Sequence, residues 1–140
     1  MADGSGTNLK AKASFQSDAY MFKMNATAAS SHSLGAQDSG KTYFLDSTVA
    51  RTITLPAVKA GLKFKFVATD TTADSSIAPS EGTALFKGGA EAGNSYLTLV
   101  GTTIIVEAAS AVGAWLEVTC DGTYWYVSGH SSHAAGFSVS

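Results

Sequence analysis

One run of residues, Gly35-Ala-Gln-Asp-Ser-Gly40-Lys41-Thr42, matches the spacing of a phosphate-binding loop letter for letter. Such a loop works when a buried strand delivers the glycines and a helix starts directly after them, so that free backbone amides converge on a phosphate. The flanks supply neither. Residues 28–34 are small and polar, while Tyr43-Phe-Leu-Asp46 and then residues 49–55 read as strand. Residues 64–70 could pass for the magnesium-binding partner strand, but Lys65 interrupts them. The run reads as a loop leading into the first strand of the body, and no nucleotide or other cofactor is expected.

The remaining reactive side chains are scattered. His130 and His133 stand three apart with no carboxylate or thiol close in sequence, and His32 is far upstream. A zinc site needs three or four suitably spaced ligands, so no metal is expected, short of histidines meeting on an oligomer axis. No serine sits in a Gly-x-Ser-x-Gly elbow. The acidic residues Asp46, Asp70, Asp74, Glu81, Glu91, Glu107, Glu117 and Asp121 are isolated, whereas a glycosidase needs two carboxylates across one cleft. The single cysteine, Cys120, alternates with Leu116 and Val118 and reads as a small buried hydrophobe. Trp115, Tyr124, Trp125 and Tyr126 gather on one expected hairpin, where they serve cross-strand packing or a carbohydrate platform. The sequence points away from an enzyme.

The elements that position these groups are strands. In residues 49–55, Val49, Ile53 and Leu55 point one way and Thr52 and Thr54 the other; in residues 62–66, Leu62, Phe64 and Phe66 alternate with Lys63 and Lys65. Period two over successive runs means strands with one buried and one wet face. Pro56 and Gly61 bracket the connection, and the two runs are expected to pair as the seed of an antiparallel sandwich. Further short runs follow at residues 77–79, 83–87, 96–100, 102–109, 114–120 and 123–128. Turns are expected at residues 73–76, at Gly88-Gly89, at Gly93-Asn94 and at the two-residue hairpin signal Asp121-Gly122. Residues 108–112 read as a loop, and residues 129–140 as either a last strand or an arm laid on a neighbour. Short strands at such spacing, with no helical period, predict an all-β, antiparallel, jelly-roll-like sandwich over residues 35–140.

Residues 1–34 differ: they are rich in Ser, Ala and Gly and carry their apolar groups at Leu9, Phe15, Tyr20, Met21, Phe22 and Met24. They are expected to form an extended N-terminal arm whose apolar residues bind a partner. Across the 140 residues the charged fraction is only 14%, against about 25% in ordinary globular chains. That suits a protein packed against copies of itself. The formal net charge of −2, with scattered basic residues, argues against nucleic-acid binding. No stretch reaches the ~18 apolar residues of a membrane span, and the first residues lack the apolar run of a secretory signal.

Three groups of residues carry a resemblance: Tyr43-Phe-Leu-Asp46; Arg51-Thr-Ile-Thr-Leu-Pro56 with Ala60-Gly-Leu-Lys-Phe-Lys-Phe66; and Ala114-Trp-Leu-Glu-Val118 with Asp121-Gly-Thr-Tyr-Trp-Tyr126. Over roughly residues 41–128 the chain resembles a β-module of tailed-bacteriophage virion proteins, namely capsid decoration (cement) proteins and small tail-fibre or spike domains. The resemblance implies a structural, non-catalytic protein, made in the host cytoplasm and carried on the outer capsid surface of the virion. Its implied partners are itself, as a homotrimer, and the major capsid protein. A receptor- or carbohydrate-binding domain of a tail fibre is the alternative it implies.

Overall fold

The computed structural model of the chain describes residues 21–24, 31–46, 48–83 and 85–140. Among these residues twelve strands appear in the order β1 (Met21–Met24), β2 (Ser31–Ser33), β3 (Thr42–Asp46), β4 (Arg51–Leu55), β5 (Lys63–Asp70), β6 (Ser75–Pro79), β7 (Phe86–Ala92), β8 (Ser95–Thr98), β9 (Ile104–Val106), β10 (Trp115–Cys120), β11 (Trp125–Ser131) and β12 (Phe137–Val139). The only helical element among the described residues is a single 3-10 turn at Ala36–Asp38. Seven strands form one sheet in the order β1-β3-β5-β10-β11-β7-β8, and five form a second in the order β12-β9-β6-β4-β2. The all-β sandwich is the expected class.

Strand pairing is mixed, whereas the turn pattern predicts antiparallel pairing throughout. From β1 to β6 the chain alternates between the sheets, so β1, β3 and β5 pair in parallel in one while β2, β4 and β6 pair in parallel in the other. Met21 lies opposite Thr42 and Thr42 opposite Lys65; Ser31 lies opposite Thr52 and Thr52 opposite Ser76. This half of the molecule is therefore a two-sided coil. A parallel pair needs a long crossover, and here each crossover is itself a strand of the facing sheet. The second half closes the coil with antiparallel pairs: β10 covers β5 and β9 covers β6.

This topology corrects the reading of residues 49–66. β4 and β5 do not pair; they lie in different sheets, and the Pro56 to Gly61 link carries the chain across the core rather than turning it back. Gly61 has φ +92°, the left-handed region where glycine is least penalised. A hairpin joins β10 to β11 at the expected place, but Cys120 lies opposite Trp125 and the Asp121 amide donates to the Tyr124 carbonyl, so Gly122 and Thr123 are central where the two-residue signal predicts Asp121 and Gly122. Gly88-Gly89 is not a turn. Both lie inside β7, where a Cβ on Gly88 would come within 2.6 Å of the Val127 carbonyl oxygen and one on Gly89 would collide with the Leu97 oxygen. Glycine is there to let the neighbouring backbones approach. Residues 108–112 are loop, and the final segment supplies β12, which pairs with β9.

The core lies between the sheets and follows the alternation. Phe64, Phe66, Leu116, Val118, Trp125 and Phe86 point inward from the seven-stranded sheet, and Ile53, Leu55, Ile77, Ile104 and Val106 from the other. Tyr43 stacks on Phe66 at 5.8 Å between centroids, and Phe64 lies 6.0 Å from Trp125. Burial pushes the Tyr43 hydroxyl far above the ordinary tyrosine range, with the nearby Asp38 charge adding to it. One cation is also buried: Arg51 donates from Nε to the Asp46 carbonyl at 3.0 Å and lies with Nη1 3.2 Å from His32 Nε2. A guanidinium has only donors, so the imidazole accepts through Nε2 and thereby helps hold β2 against β4.

The described portion of residues 1–34 is built into the sheets. β1 pairs with β3, β2 pairs with β4, and the Leu34 side chain is buried in the core. An arm separate from the body could therefore include only residues outside these.

Candidate interaction surface

The glycine-rich loop is occupied by its own structure. The Gly35 amide donates to Asp38 Oδ2 at 2.9 Å, the Asp38 amide to the Gly35 carbonyl, the Ser39 amide to Ala36, the Gly40 amide to Lys63 and the Lys41 amide to Asp38. Lys41 Nζ donates to Asp38 Oδ1 at 2.7 Å. Burial alone would raise the Asp38 carboxyl, but the hydrogen bonds from Lys41 and the Gly35 amide outweigh it and hold it below the usual carboxylate range. Strand β3 follows immediately. The amides that a phosphate would need are already committed, and the lysine is paired within the loop.

The histidines lie apart. His32 faces Arg51, His130 is exposed on β11, and His133 accepts the Ala135 amide through Nδ1 at 3.2 Å in the next turn. Among the described residues no three of His, Cys, Asp and Glu stand close enough to hold a metal. Cys120 is buried, and its Sγ accepts the Gly122 amide at 3.3 Å. Several carboxylates brace turns: Asp121 accepts the Thr123 and Tyr124 amides at 2.8 Å each, Asp74 accepts the Ala108 amide, and Glu81 accepts the Val58 amide. The amides of Tyr124 and Thr123 draw the Asp121 carboxyl down, and its charge pushes the Tyr126 hydroxyl up.

What remains chemically distinctive is the outer face of the seven-stranded sheet. Register places one lateral row across six strands: Phe44 opposite Val67, Val67 opposite Trp115, Trp115 opposite His130, His130 opposite Glu91 and Glu91 opposite Tyr96. Phe44, Val67 and Trp115 are partly buried by their neighbours, while Tyr96 and Tyr126 stand out as exposed. Lys65 Nζ lies 5.0 Å above the Trp115 ring, and Lys87 Nζ lies 4.9 Å from the Tyr124 ring. Lys63 and Glu117 pair at 3.4 Å on the same face. Alternation divides the aromatic group: Trp125 is fully buried in the core, so it cannot belong to a binding platform, and Trp115 already carries a cation on its ring.

The second distinctive feature is the edge. Among the described residues β1 and β2 each form one edge of their sheets, opposite the edges β8 and β12, and as members of one turn of the coil they lie at the same end of the sandwich. Of the apolar residues expected to bind a partner, Met21, Phe22 and Met24 are on β1, paired with Thr42, Tyr43 and Leu45. Leu9, Phe15 and Tyr20 lie outside the described residues. The row on the outer sheet face is the feature that sequence reading misses, because it appears only once six strands are put in order. In comparisons with protein-family models, with curated proteins and with solved structures, the chain matches none.

Proposed function

We propose that this chain is a non-catalytic structural protein of a tailed-bacteriophage virion. In this reading it is a decoration protein that binds the outer surface of the head as a homo-oligomer, a trimer, and clamps neighbouring capsomers. The observation that carries the reading is that β1 and β2 are, among the described residues, the outermost strands at one end of the sandwich. Among the described residues no strand pairs with the outer side of either, and such an edge is the template on which another chain adds a strand. Natural proteins guard such edges with charge or proline, and the segments Met21-Phe-Lys-Met24 and Ser31-His-Ser33 hold one lysine and no proline.

The sequence resemblance over residues 41–128 and the low charge agree with this reading, and the partly apolar row Phe44, Val67, Trp115 offers a second contact area. An interface of ordinary size buries about 800 Å² per partner, and apolar burial contributes about 25 cal/mol per Å². The mechanism needs no bond making or breaking: strand addition and apolar contact between neighbours raise the free energy needed to pull adjacent capsomers apart.

Native mass spectrometry of the purified chain, followed by co-sedimentation with heads that lack it, tests the proposal. Trimers that pellet with the heads and raise their resistance to heat are expected. A chain that stays in the supernatant at every head concentration contradicts it.

A further inference from the structure

We propose that His32 is a pH-sensitive latch, which holds the edge strand β2 against β4 while its imidazole is neutral and releases it when the imidazole is protonated. β2 is the outermost strand at its end of the five-stranded sheet, and among the described residues β4 is the one strand it pairs with. Ser31 and Ser33 are exposed on the outer face. Beyond its backbone bonds, the strand is therefore held by the side chains on its inward side. These are His32, which is half-buried, and Leu34 just past its end, which is in the core.

His32 meets a buried cation. Arg51 on β4 is 2% exposed, with Nη1 3.2 Å from His32 Nε2 and Nε donating to the Asp46 carbonyl. A guanidinium stays charged and offers only donors. The imidazole is therefore the partner that can change. Neutral, with its proton on Nδ1, it presents a lone pair at Nε2; protonated, both of its nitrogens are donors. A second positive charge then faces the guanidinium at hydrogen-bond distance, where little water screens the two. Protonation thus turns an attraction into a repulsion. The released strand carries the extra proton, so by linkage the latch is firm at higher pH and weakens as pH falls.

The other titratable groups around the pair are few. On β4 Arg51 is the only charged residue. Across the core β3 brings Tyr43, whose hydroxyl burial pushes far up, so it stays neutral. Asp46 ends β3 opposite Asp70, and Asp74 accepts the Arg51 amide through its carbonyl. Hydrogen bonds from Thr72 hold the Asp70 carboxyl low. Between pH 7.5 and 5 a histidine ordinarily changes charge, whereas aspartate, arginine and tyrosine ordinarily do not. Release of β2 makes β4 the edge strand and uncovers Arg51, so acid changes which strand the sheet offers at that end. The latch concerns the fold and stands whether or not this edge serves assembly.

The test is amide hydrogen exchange by NMR on the full chain from pH 7.5 to 5, corrected for the intrinsic rate. The Leu34 amide is the probe, because it donates to the Thr54 carbonyl at 2.9 Å across the β2–β4 seam. Its protection is expected to fall at least tenfold on acidification, while that of the β10 amides in the other sheet stays level. Imidazole nitrogen shifts at pH 7.5 should show His32 protonated on Nδ1 and bare on Nε2. His32→Gln keeps an acceptor for Arg51 and cannot charge, so it should keep the Leu34 protection level across the range. The double change His130→Gln with His133→Gln should leave the pH dependence of the parent intact. Should His32→Gln fail to fold, the imidazole shifts of the parent and the double variant carry the same expectation. Level protection in the parent overturns the proposal, as does an equal fall in His32→Gln, loss of the pH dependence in the double variant, or a proton on Nε2 at pH 7.5. Each of those results leaves the assembly reading untouched.

Discussion

Replacing Trp125 separates a core residue from a ligand platform. Its side chain is fully buried against Phe64, its backbone amide donates to the Leu85 carbonyl at 2.9 Å, and its indole Nε1–H has no hydrogen-bond partner among the described residues. A large aromatic side chain buries about 150–250 Å², which at about 25 cal/mol per Å² is roughly 4–6 kcal/mol of transfer free energy. Truncations of this kind typically cost about 3–5 kcal/mol, against about 5–15 kcal/mol for a whole domain. Trp125→Ala should therefore leave the fold marginal.

Trp125→Phe is different. It removes about 40 Å³ of side chain, a cavity cost of about 1 kcal/mol, and it also removes a buried unpaired donor whose desolvation costs about 1–3 kcal/mol. The two terms oppose each other, so the phenylalanine variant should lie between the parent's stability and about 2 kcal/mol above it. Urea unfolding followed by far-ultraviolet circular dichroism reads both variants without relying on the lost fluorophore. An alanine variant costing under about 1 kcal/mol would place the indole outside the core and contradict the burial argument. A phenylalanine variant as damaging as the alanine one would mean that the indole N–H is satisfied, and the offset would fail.

Other perturbations follow from the same geometry. Lys41→Ala breaks a single loop ion pair and should cost less than about 1 kcal/mol in urea; titration calorimetry with ATP should show no binding before or after the change. Asp38 is held below its ordinary pKa in the fold, so its contribution is present above the unfolded value and is lost as pH falls through the folded one. The stability gap between parent and Asp38→Asn should accordingly shrink on going from neutral pH to below about pH 4 in urea titrations. Cys120 is 3% exposed, so a thiol reagent should label it slowly in buffer and rapidly in denaturant; equal rates would place it at the surface.

Local features of the fold are legible in the sequence, and the order of the strands is not. Asp121-Gly122 names its hairpin because the two partner strands are adjacent in the chain and the turn chemistry is local. Alternation also tells which residues of β4, β5 and β10 face inward. It cannot tell which strand lies beside which: β4 pairs with β6 and β5 with β3, partners separated by a whole strand of the other sheet, with no turn signal between them. β1 and β2 leave little trace because Met21-Phe-Lys-Met24 is short and Ser31-His-Ser33 is polar, each holding its place by edge pairing more than by its own pattern. Gly88-Gly89 reads as a turn for the same reason, since close approach of Val127 and Leu97 is a tertiary fact. As for the surface, the sequence draws attention to Trp125, which is buried.

The assembly account rests most directly on where the protein sits on a particle. Electron cryomicroscopy of heads lacking the chain, imaged before and after incubation with it, measures that. The account predicts new three-lobed density at regular positions on the outer shell, with β1 and β2 at the contacts. Unchanged heads in the presence of excess folded protein would contradict it.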